Sequence, residues 1–392
     1  MTRIALLNGN WYPQTGGGIV HVDELASRLA SEHRCDVDVI TKWTAPEEQR
    51  RVPEGTTLTQ IPGTDTSYRL LNELRYTHGV VDHVRQNEFD IVHAHTNTAT
   101  FPLQILRVLG DTRTVVTVHG ANLDLSVTFT GSVLDYAYTA VRRTILQRFR
   151  YDAVISVSSE LTDVLSPHHD TVQFIANGVD IDALPQPSGY GENELLFVGR
   201  LRPKKNPTDI IQAMQYVTEN HPTAKLHIVG EGPLYDDVTQ AVEQFELENN
   251  VTVHGFVDDT TLQSLYERCS LFVLPSDWEG HPLVLMEAWA SGQPVVGTDV
   301  EGIREFVTEG YGELVSLNDP RALGEALSDL LSDPEAVKES GIRARAFVRA
   351  NYSWDATVEQ TYNLYEYLLG ADEVGSSQQI SSTSEKEKMM GR

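Results

Sequence analysis

Short runs of apolar and β-branched residues that end in polar ones, each followed by a stretch of helical periodicity, recur along the chain and constrain its fold more than any other feature. In the first half the runs are Ile4–Leu7, Asp36–Thr41, Asp90–His95, Thr114–His119, Tyr151–Ser158 and Val172–Ala176, with helical patterns between them such as Leu70–Gln86 and one starting at Glu160. Such alternation predicts α/β architecture with a parallel sheet, which receives ligands at the carboxyl ends of its strands. The pattern breaks at Ala183–Glu194 (ALPQPSGYGENE), which is rich in Pro and Gly. It then restarts with strands Leu195–Val198, Lys225–Val229, Val251–His254, Leu271–Pro275 and Pro294–Thr298 and a helix over Thr208–Thr218. At roughly 150 residues per domain, a chain of 392 residues exceeds one core. The expected organisation is a first domain over 1–182, a linker over 183–194 and a second parallel-sheet domain over 195–350, with a cleft between them for a ligand. Ser353 caps a last helix over 354–369 whose apolar face carries Trp354, Val358, Tyr362, Tyr365 and Leu368 or Leu369. The Ser-, Gln- and Glu/Lys-rich residues 371–392 are expected to be disordered.

Chemistry-bearing residues gather at the ends of the predicted strands. PSDWEGHPLVLMEAWASG (Pro275–Gly292) places Glu279 in a loop and Glu287 in the helix that follows. Asp277 is expected to cap that helix and Pro282 to take its first position, with Leu283 opening its apolar set. Glu279 and Gly280 then lie just before a helix N-terminus, where unpaired N–H groups favour an anion or a sugar hydroxyl. The same spacing also fits a capped amphipathic helix with solvated acids. GRLRPKKN (Gly199–Asn206) follows a strand directly and concentrates cations there, as a phosphate or diphosphate requires, Arg binding its oxygens bidentately and Lys acting as a point charge. Gly230-Glu231-Gly232-Pro233 adds a backbone-rich turn to the same rim. In the first half, Gly16, Gly17 and Gly18 form a turn at a helix start that lets backbone approach a ligand closely. The turn has neither the GxGxxG spacing nor the Lys-Ser/Thr of a nucleotide-binding loop. His93, His95 and His119 fall at or near strand ends; His119, followed by Gly120, is the functional candidate.

Net charge is −26, and 7 lysines stand against 23 arginines. This acid-rich, lysine-poor balance excludes the basic footprint of a nucleic-acid binder and matches proteins of a high-salt cytosol. Against it, Val133–Arg150 is locally basic, and Arg142, Arg143, Arg148 and Arg150 could meet lipid headgroups or a phosphorylated acceptor. No charged leader with an apolar core precedes Ile4 and no apolar run approaches ~18 residues. A cytoplasmic protein is therefore expected, peripheral at the inner membrane face if those arginines touch lipid. Cys35 and Cys269 lack partners at metal-ligand spacing and read as core thiols.

Taken jointly, the TGGG turn, VTVHG ending at Gly120, NGVD (Asn177–Asp180), FVGRLRPKKN, VGEGP, PSDWEGHPLVLMEAWASG and VEGIREFV resemble the retaining glycosyltransferases of family four. The resemblance runs from Ile4 to Leu369. It implies the GT-B fold, two Rossmann-like domains facing a central cleft, with the last helix crossing back to the first domain. It also implies transfer of a sugar from a UDP- or GDP-linked donor to a glycan, lipid-linked or small hydroxyl acceptor, a step in glycan biosynthesis. Arg200 and Lys205 would hold the donor diphosphate, with Gly199, Gly232, Gly280, His281, Pro282 and Leu283 around it. Glu287 would bind the ribose and Glu279 the transferred sugar. His119 would reach that sugar from the other domain, and Gly17 and Gly18 would line the acceptor side. His281 replaces a common Phe and Glu301 a common Gly, so the sugar preference is expected to be unusual. No cofactor and no metal are expected, since Asp36-Val-Asp38 and Asp180-Ile-Asp182 read as structural. The competing readings are an epimerase or hydrolase of the same fold, for which no base or acid stands out, and a non-catalytic nucleotide-sugar-binding subunit.

The charge yields a direct test. Near 1 M salt the Debye length falls to ~3 Å and self-repulsion is suppressed. The unfolding temperature should rise between dilute and multimolar KCl; equal cooperativity and stability at both would refute the halophilic reading.

Overall fold

The computed structural model describes residues 1–12, 16–42, 46, 51–61, 69–95, 100–110, 112–119, 148–190, 193–307 and 311–370. Gly120, Arg142, Arg143 and the tail 371–392 lie outside the described residues. The chain forms two compact units, Met1–Ala176 with Thr357–Arg392, and Asn177–Ala356.

The first unit is built on seven parallel strands: β1 (Arg3–Asn8), β2 (Asp36–Thr41), β3 (Thr57–Gln60), β4 (Ile91–Ala94), β5 (Arg113–Val118), β6 (Ala153–Ser156) and β7 (Val172–Phe174). Their order is β3-β2-β1-β4-β5-β6-β7. Residues along a strand alternate between faces, so β1 feeds two cores. Ala5 and Leu7 pack with Tyr76, Val80 and Val84 of α2 (Arg69–Asn87) and with Leu103 and Leu106 of α3 (Thr100–Leu109). Ile4 and Leu6 pack with Val22, Leu25 and Leu29 of α1 (Gly17–Ser31). Val358, Tyr365 and Leu368 of the terminal helix Trp354–Gly370 join the second core, so from Thr357 onward that helix belongs to this unit. Ser353 Oγ accepts from the Ala356 N–H at 3.2 Å. A short α4 (Ser159–Leu165) follows β6. Of the basic stretch, Arg148 is exposed, while Arg150 donates to the His168 carbonyl and lies 3.6 Å from Asp170.

The second unit carries six parallel strands: β8 (Glu194–Val198), β9 (Lys225–Val229), β10 (Val251–Gly255), β11 (Leu271–Leu274), β12 (Val295–Thr298) and β13 (Gly312–Val315). Their order is β10-β9-β8-β11-β12-β13. The core joins Leu195, Phe197, Leu226, Ile228 and Val273 of the sheet to Ile211 and Met214 of α5 (Pro207–Asn220) and Val238 of α6 (Tyr235–Gln244). Further helices are α7 (Asp259–Arg268), α8 (Leu283–Ala290), α9 (Pro320–Leu331) and α10 (Pro334–Asn351). Cys35 and Cys269 are free, buried thiols.

The two units divide between Ala176 and Asn177, upstream of the Pro/Gly-rich stretch, so NGVD opens the second unit instead of closing the first. Its backbone explains why. The Val179 N–H donates to the Tyr352 carbonyl at 2.9 Å, and Gly178 lies so close to Trp354 that a Cβ would come within 2.6 Å of its backbone. Nor are residues 183–190 a free linker. The Ser188 N–H donates to the Glu267 carbonyl at 2.7 Å, and the Tyr190 hydroxyl donates to the Gly292 carbonyl at 3.2 Å.

Candidate functional site

In the second unit the chain winds outward from β8 in both directions, to β9 and β10 on one side and to β11, β12 and β13 on the other. Loops leaving β8 and β11 therefore diverge, and the crevice at the carboxyl ends of these strands is where an open α/β sheet receives its ligand. The two loops concerned are GRLRPKKN and PSDWEGHP.

Glycines let the loops at this rim touch through their backbones. The Gly199 N–H donates to the Val229 carbonyl at 2.9 Å and the Leu201 N–H to the Glu231 carbonyl at 3.0 Å. A Cβ on Gly230 (φ 138°) would fall 2.0 Å from the Gly199 oxygen, and one on Gly232 2.3 Å from the Leu201 oxygen. Arg200 is exposed in the turn so formed. The chain then makes a 3₁₀ turn over Pro203–Lys205 and reverses at Asn206 in the left-handed region, after which Pro207 opens α5.

The 3₁₀ turn aims two lysines at Glu279. Lys205 Nζ donates to Glu279 Oε1 at 2.5 Å, and Lys204 Nζ stands 3.9 Å from Oε2 while lying over the Trp278 ring at 4.1 Å. Only 6% of Glu279 is exposed. Its N–H donates to the Glu301 carbonyl at 3.1 Å, and its own carbonyl is so close to Gly302 (φ 77°) that a Cβ there would come within 2.0 Å. The β12 loop thus fixes Glu279 from behind, through the main chain of the residue that departs from the family pattern.

Around this pair the expected residues take partly different places. Asp277 does not cap α8; its carboxylate accepts from Asn206 Nδ2, and its N–H donates to the Lys204 carbonyl at 2.8 Å, so it ties the two loops together. Pro282 is the N-cap of α8, not its first helical residue, and supplies no side-chain bond. The His281 ring is buried edge-on to Phe306 at 4.8 Å and Tyr352 at 5.7 Å, an aromatic's place, and its carbonyl accepts from Asn177 Nδ2 at 3.4 Å. Leu283, partly buried, is the first residue of α8. Glu287, farther along α8, is partly buried and accepts from the Tyr266 hydroxyl at 3.0 Å. Loss of hydration raises the Glu287 pKa, and the tyrosine bond works against that rise. Tyr266 itself stays protonated, because burial and the adjacent carboxylate hold its pKa well above the usual value. Sequence reasoning passed over Tyr266, whose helical spacing with Leu262 and Leu265 signals only packing.

The first unit reverses its winding between β1 and β4. Gly17 and Gly18 open α1 there, and Asn8 Nδ2 donates to the Gly18 carbonyl at 3.3 Å. Among the described residues, no heavy atom would lie within 4 Å of a Cβ on Gly16 or Gly18. His119 follows β5 and meets His95, with His95 Nδ1 and His119 Nε2 3.3 Å apart, and the His21 ring of α1 packs edge-on to His119 at 4.6 Å. His93 is structural: its ring nitrogens bond Tyr365 at 2.5 Å and Thr117 at 2.6 Å, tying the terminal helix to the sheet. Burial first, and then His119, lower its pKa to about 3. Both Asp-x-Asp pairs are engaged. Asp36 accepts from Arg3 at 2.9 Å, Asp38 from Thr59 at 2.9 Å with His83 at 2.8 Å, Asp180 from the Ala183 N–H at 3.2 Å and Asp182 from Arg349 at 2.8 Å.

Two doubly wound units, one with lysines and carboxylates at its switch point, follow the domain plan of the GT-B glycosyltransferases. The family comparisons agree. Residues 15–183 match the model described as Glycosyltransferase Family 4, and residues 181–347 match Glycosyl transferases group 1. The chain is 28% identical over 284 residues to a glycogen synthase of Mycobacterium tuberculosis, covering 70% of this chain and 68% of that one. Sucrose-phosphate synthase from Thermosynechococcus elongatus superposes with a TM-score of 0.81 at 22% identity, covering 95% of this chain and all of the other. Anabaena HepE, solved in complex with UDP and glucose, superposes with a TM-score of 0.75 at 19% identity over 93% of this chain and all of that one. The chain belongs to glycosyltransferase family four and is a glycosyltransferase.

The Tyr266–Glu287 bond has a pH signature. A raised folded-state pKa means that Glu287 binds its proton more tightly in the folded than in the unfolded chain. The stability of its neutral form is therefore present below the usual carboxylate range and is lost as pH rises through the raised value. Tyr266→Phe removes the donor that offsets this loss. It should cost about 1–3 kcal/mol at neutral pH and less once Glu287 is protonated, as read by denaturant unfolding at the two pH values; an equal cost at both would refute a charge-dependent bond.

Proposed function

We propose that this chain is a metal-independent, retaining glycosyltransferase that moves a sugar from a UDP- or GDP-linked donor to a hydroxyl of a glycan, lipid-linked or small acceptor. The observation that carries the reading is the Lys205–Glu279 pair at the switch point of the second unit, with Lys204 beside it and Arg200 exposed in the loop that supplies both lysines.

Two ammonium groups share one carboxylate here. Lys205 can therefore turn toward a diphosphate while Lys204 still balances Glu279, which avoids leaving a buried charge uncompensated. In this reading Arg200 and Lys205 stabilise the negative charge that grows on the diphosphate as the sugar leaves, a preorganised electrostatic contribution of the largest kind in catalysis. Glu279 accepts hydrogen bonds from hydroxyls of the departing sugar. Glu287, oriented by Tyr266, accepts from the ribose, and Gly199 and Gly232 offer backbone to the nucleotide. His119 donates to a hydroxyl of the transferred sugar. Gly17 and Gly18 line the acceptor side with backbone alone. The donor phosphate takes the acceptor proton on the face the leaving group departs from, so the configuration is retained without a protein nucleophile.

Two measurements test this. Lys205→Ala should lower kcat for nucleotide release in the presence of acceptor by about 10²–10³-fold, whereas Glu279→Gln should abolish turnover with donor affinity largely kept. A Glu279→Gln enzyme with wild-type kcat would sink the assignment, thermal melts serving as the folding control. Separately, activity should persist in excess EDTA, and loss reversed by Mg²⁺ or Mn²⁺ would refute metal independence.

A further inference from the structure

Three imidazoles converge in the first unit, outside the Lys205–Glu279 centre. His21 comes from α1, His95 follows β4 and His119 follows β5, and one ring nitrogen of each lies within 4.8 Å of the other two. We propose that His21, His95 and His119 form a binding site for a late first-row divalent cation of the Zn²⁺ type. A tetrahedral ion with metal–nitrogen bonds of about 2.0–2.1 Å has ligand atoms roughly 3.3–3.4 Å apart. The separation of His95 Nδ1 and His119 Nε2, 3.3 Å, already has that length. Among the described residues, the far nitrogen of His95, Nε2, is buried without a hydrogen-bond partner.

The surroundings suit this chemistry. His21 and His95 are each only 3% exposed, while His119 is partly exposed, so the site opens on one side. Three protein ligands with one open position is the arrangement of zinc sites that accept an exogenous ligand. An all-imidazole set selects Zn²⁺, Cu²⁺, Ni²⁺ or Co²⁺ and discriminates against Mg²⁺ and Ca²⁺, which require oxygen ligands. The other cluster of this kind among the described residues, Glu194, His227 and Cys269, is a poorer candidate, because Arg268 pairs with the Glu194 carboxylate at 2.7 Å. The site has a consequence for turnover that rests on the donor-sugar role proposed for His119. An ion held by His119 takes that imidazole away from the sugar, so the cation inhibits and is not required.

The test is a Co²⁺ titration of tag-free, full-length protein stripped with EDTA and dialysed. One equivalent should produce the visible absorption of tetrahedral Co²⁺, and Zn²⁺ should bleach it. His21→Gln and His95→Gln, checked for native fold by circular dichroism and melting, should each weaken binding at least tenfold, while Cys269→Ser should leave it unchanged. Absence of the band with Co²⁺ in excess, or a band that survives both histidine substitutions, would overturn the site. In the activity arm Zn²⁺ should slow transfer and EDTA restore it. Co²⁺ binding that depends on the histidines, combined with Zn²⁺-insensitive turnover, would support the metal site and instead refute the donor role of His119.

Discussion

A parallel strand pair cannot be closed by a hairpin, and most of this molecule follows from that constraint. Each strand must be followed by a crossover, the crossovers cover both faces of the sheet, and the central strands become apolar on both sides. Ile4 to Leu7 shows the result: four consecutive residues, all buried, alternate between two cores. Because the chain winds away from β1 and from β8 in both directions, each sheet has one point where successive loops part. Gly16, Gly17, Gly18 and the histidines gather at the first such point, the lysines and Glu279 at the second.

At the second point electrostatics and backbone contact serve one another. Glu279 is nearly sealed from water, and a carboxylate so placed needs compensation. Lys205 and Lys204 provide it, and the Asp277 and Asn206 bonds hold the loop of the cations against the loop of the acid. Gly230, Gly232 and Gly302 permit main-chain approaches that no side chain would survive. The cation that balances Glu279 in this structure is the one proposed to hold the donor, so ligand binding and internal charge balance are two uses of the same ammonium group.

Most strands were legible because two-sided burial writes a continuous apolar run. The two that escaped, β3 and β13, are edge strands: TLTQ contains one large apolar residue and is at most partly buried, and GELV has a single buried position. An edge strand is held by backbone bonds to one neighbour, which leave little mark on composition. The unit boundary escaped for a similar reason. Pro and Gly at 183–194 announce irregular backbone, yet the irregular chain is bonded to the second unit, and NGVD joins that unit through the Val179 N–H, an interaction blind to side-chain identity.

The sequence by itself determined the alternating architecture, the repetition of the α/β plan, the family, and the residue types at the strand ends, because periodicity and charge are local properties. Only the tertiary structure decided which of those residues meet. It gave Lys205 and Glu279, 74 positions apart, to each other, assigned Tyr266 to Glu287, turned His281 into an aromatic cluster and Asp277 into a loop tie, and drew His21, His95 and His119 together. The reason is physical. Each of these encounters is set by sheet order and crossover path, which place distant segments side by side, and no local pattern in the chain records the distance between them.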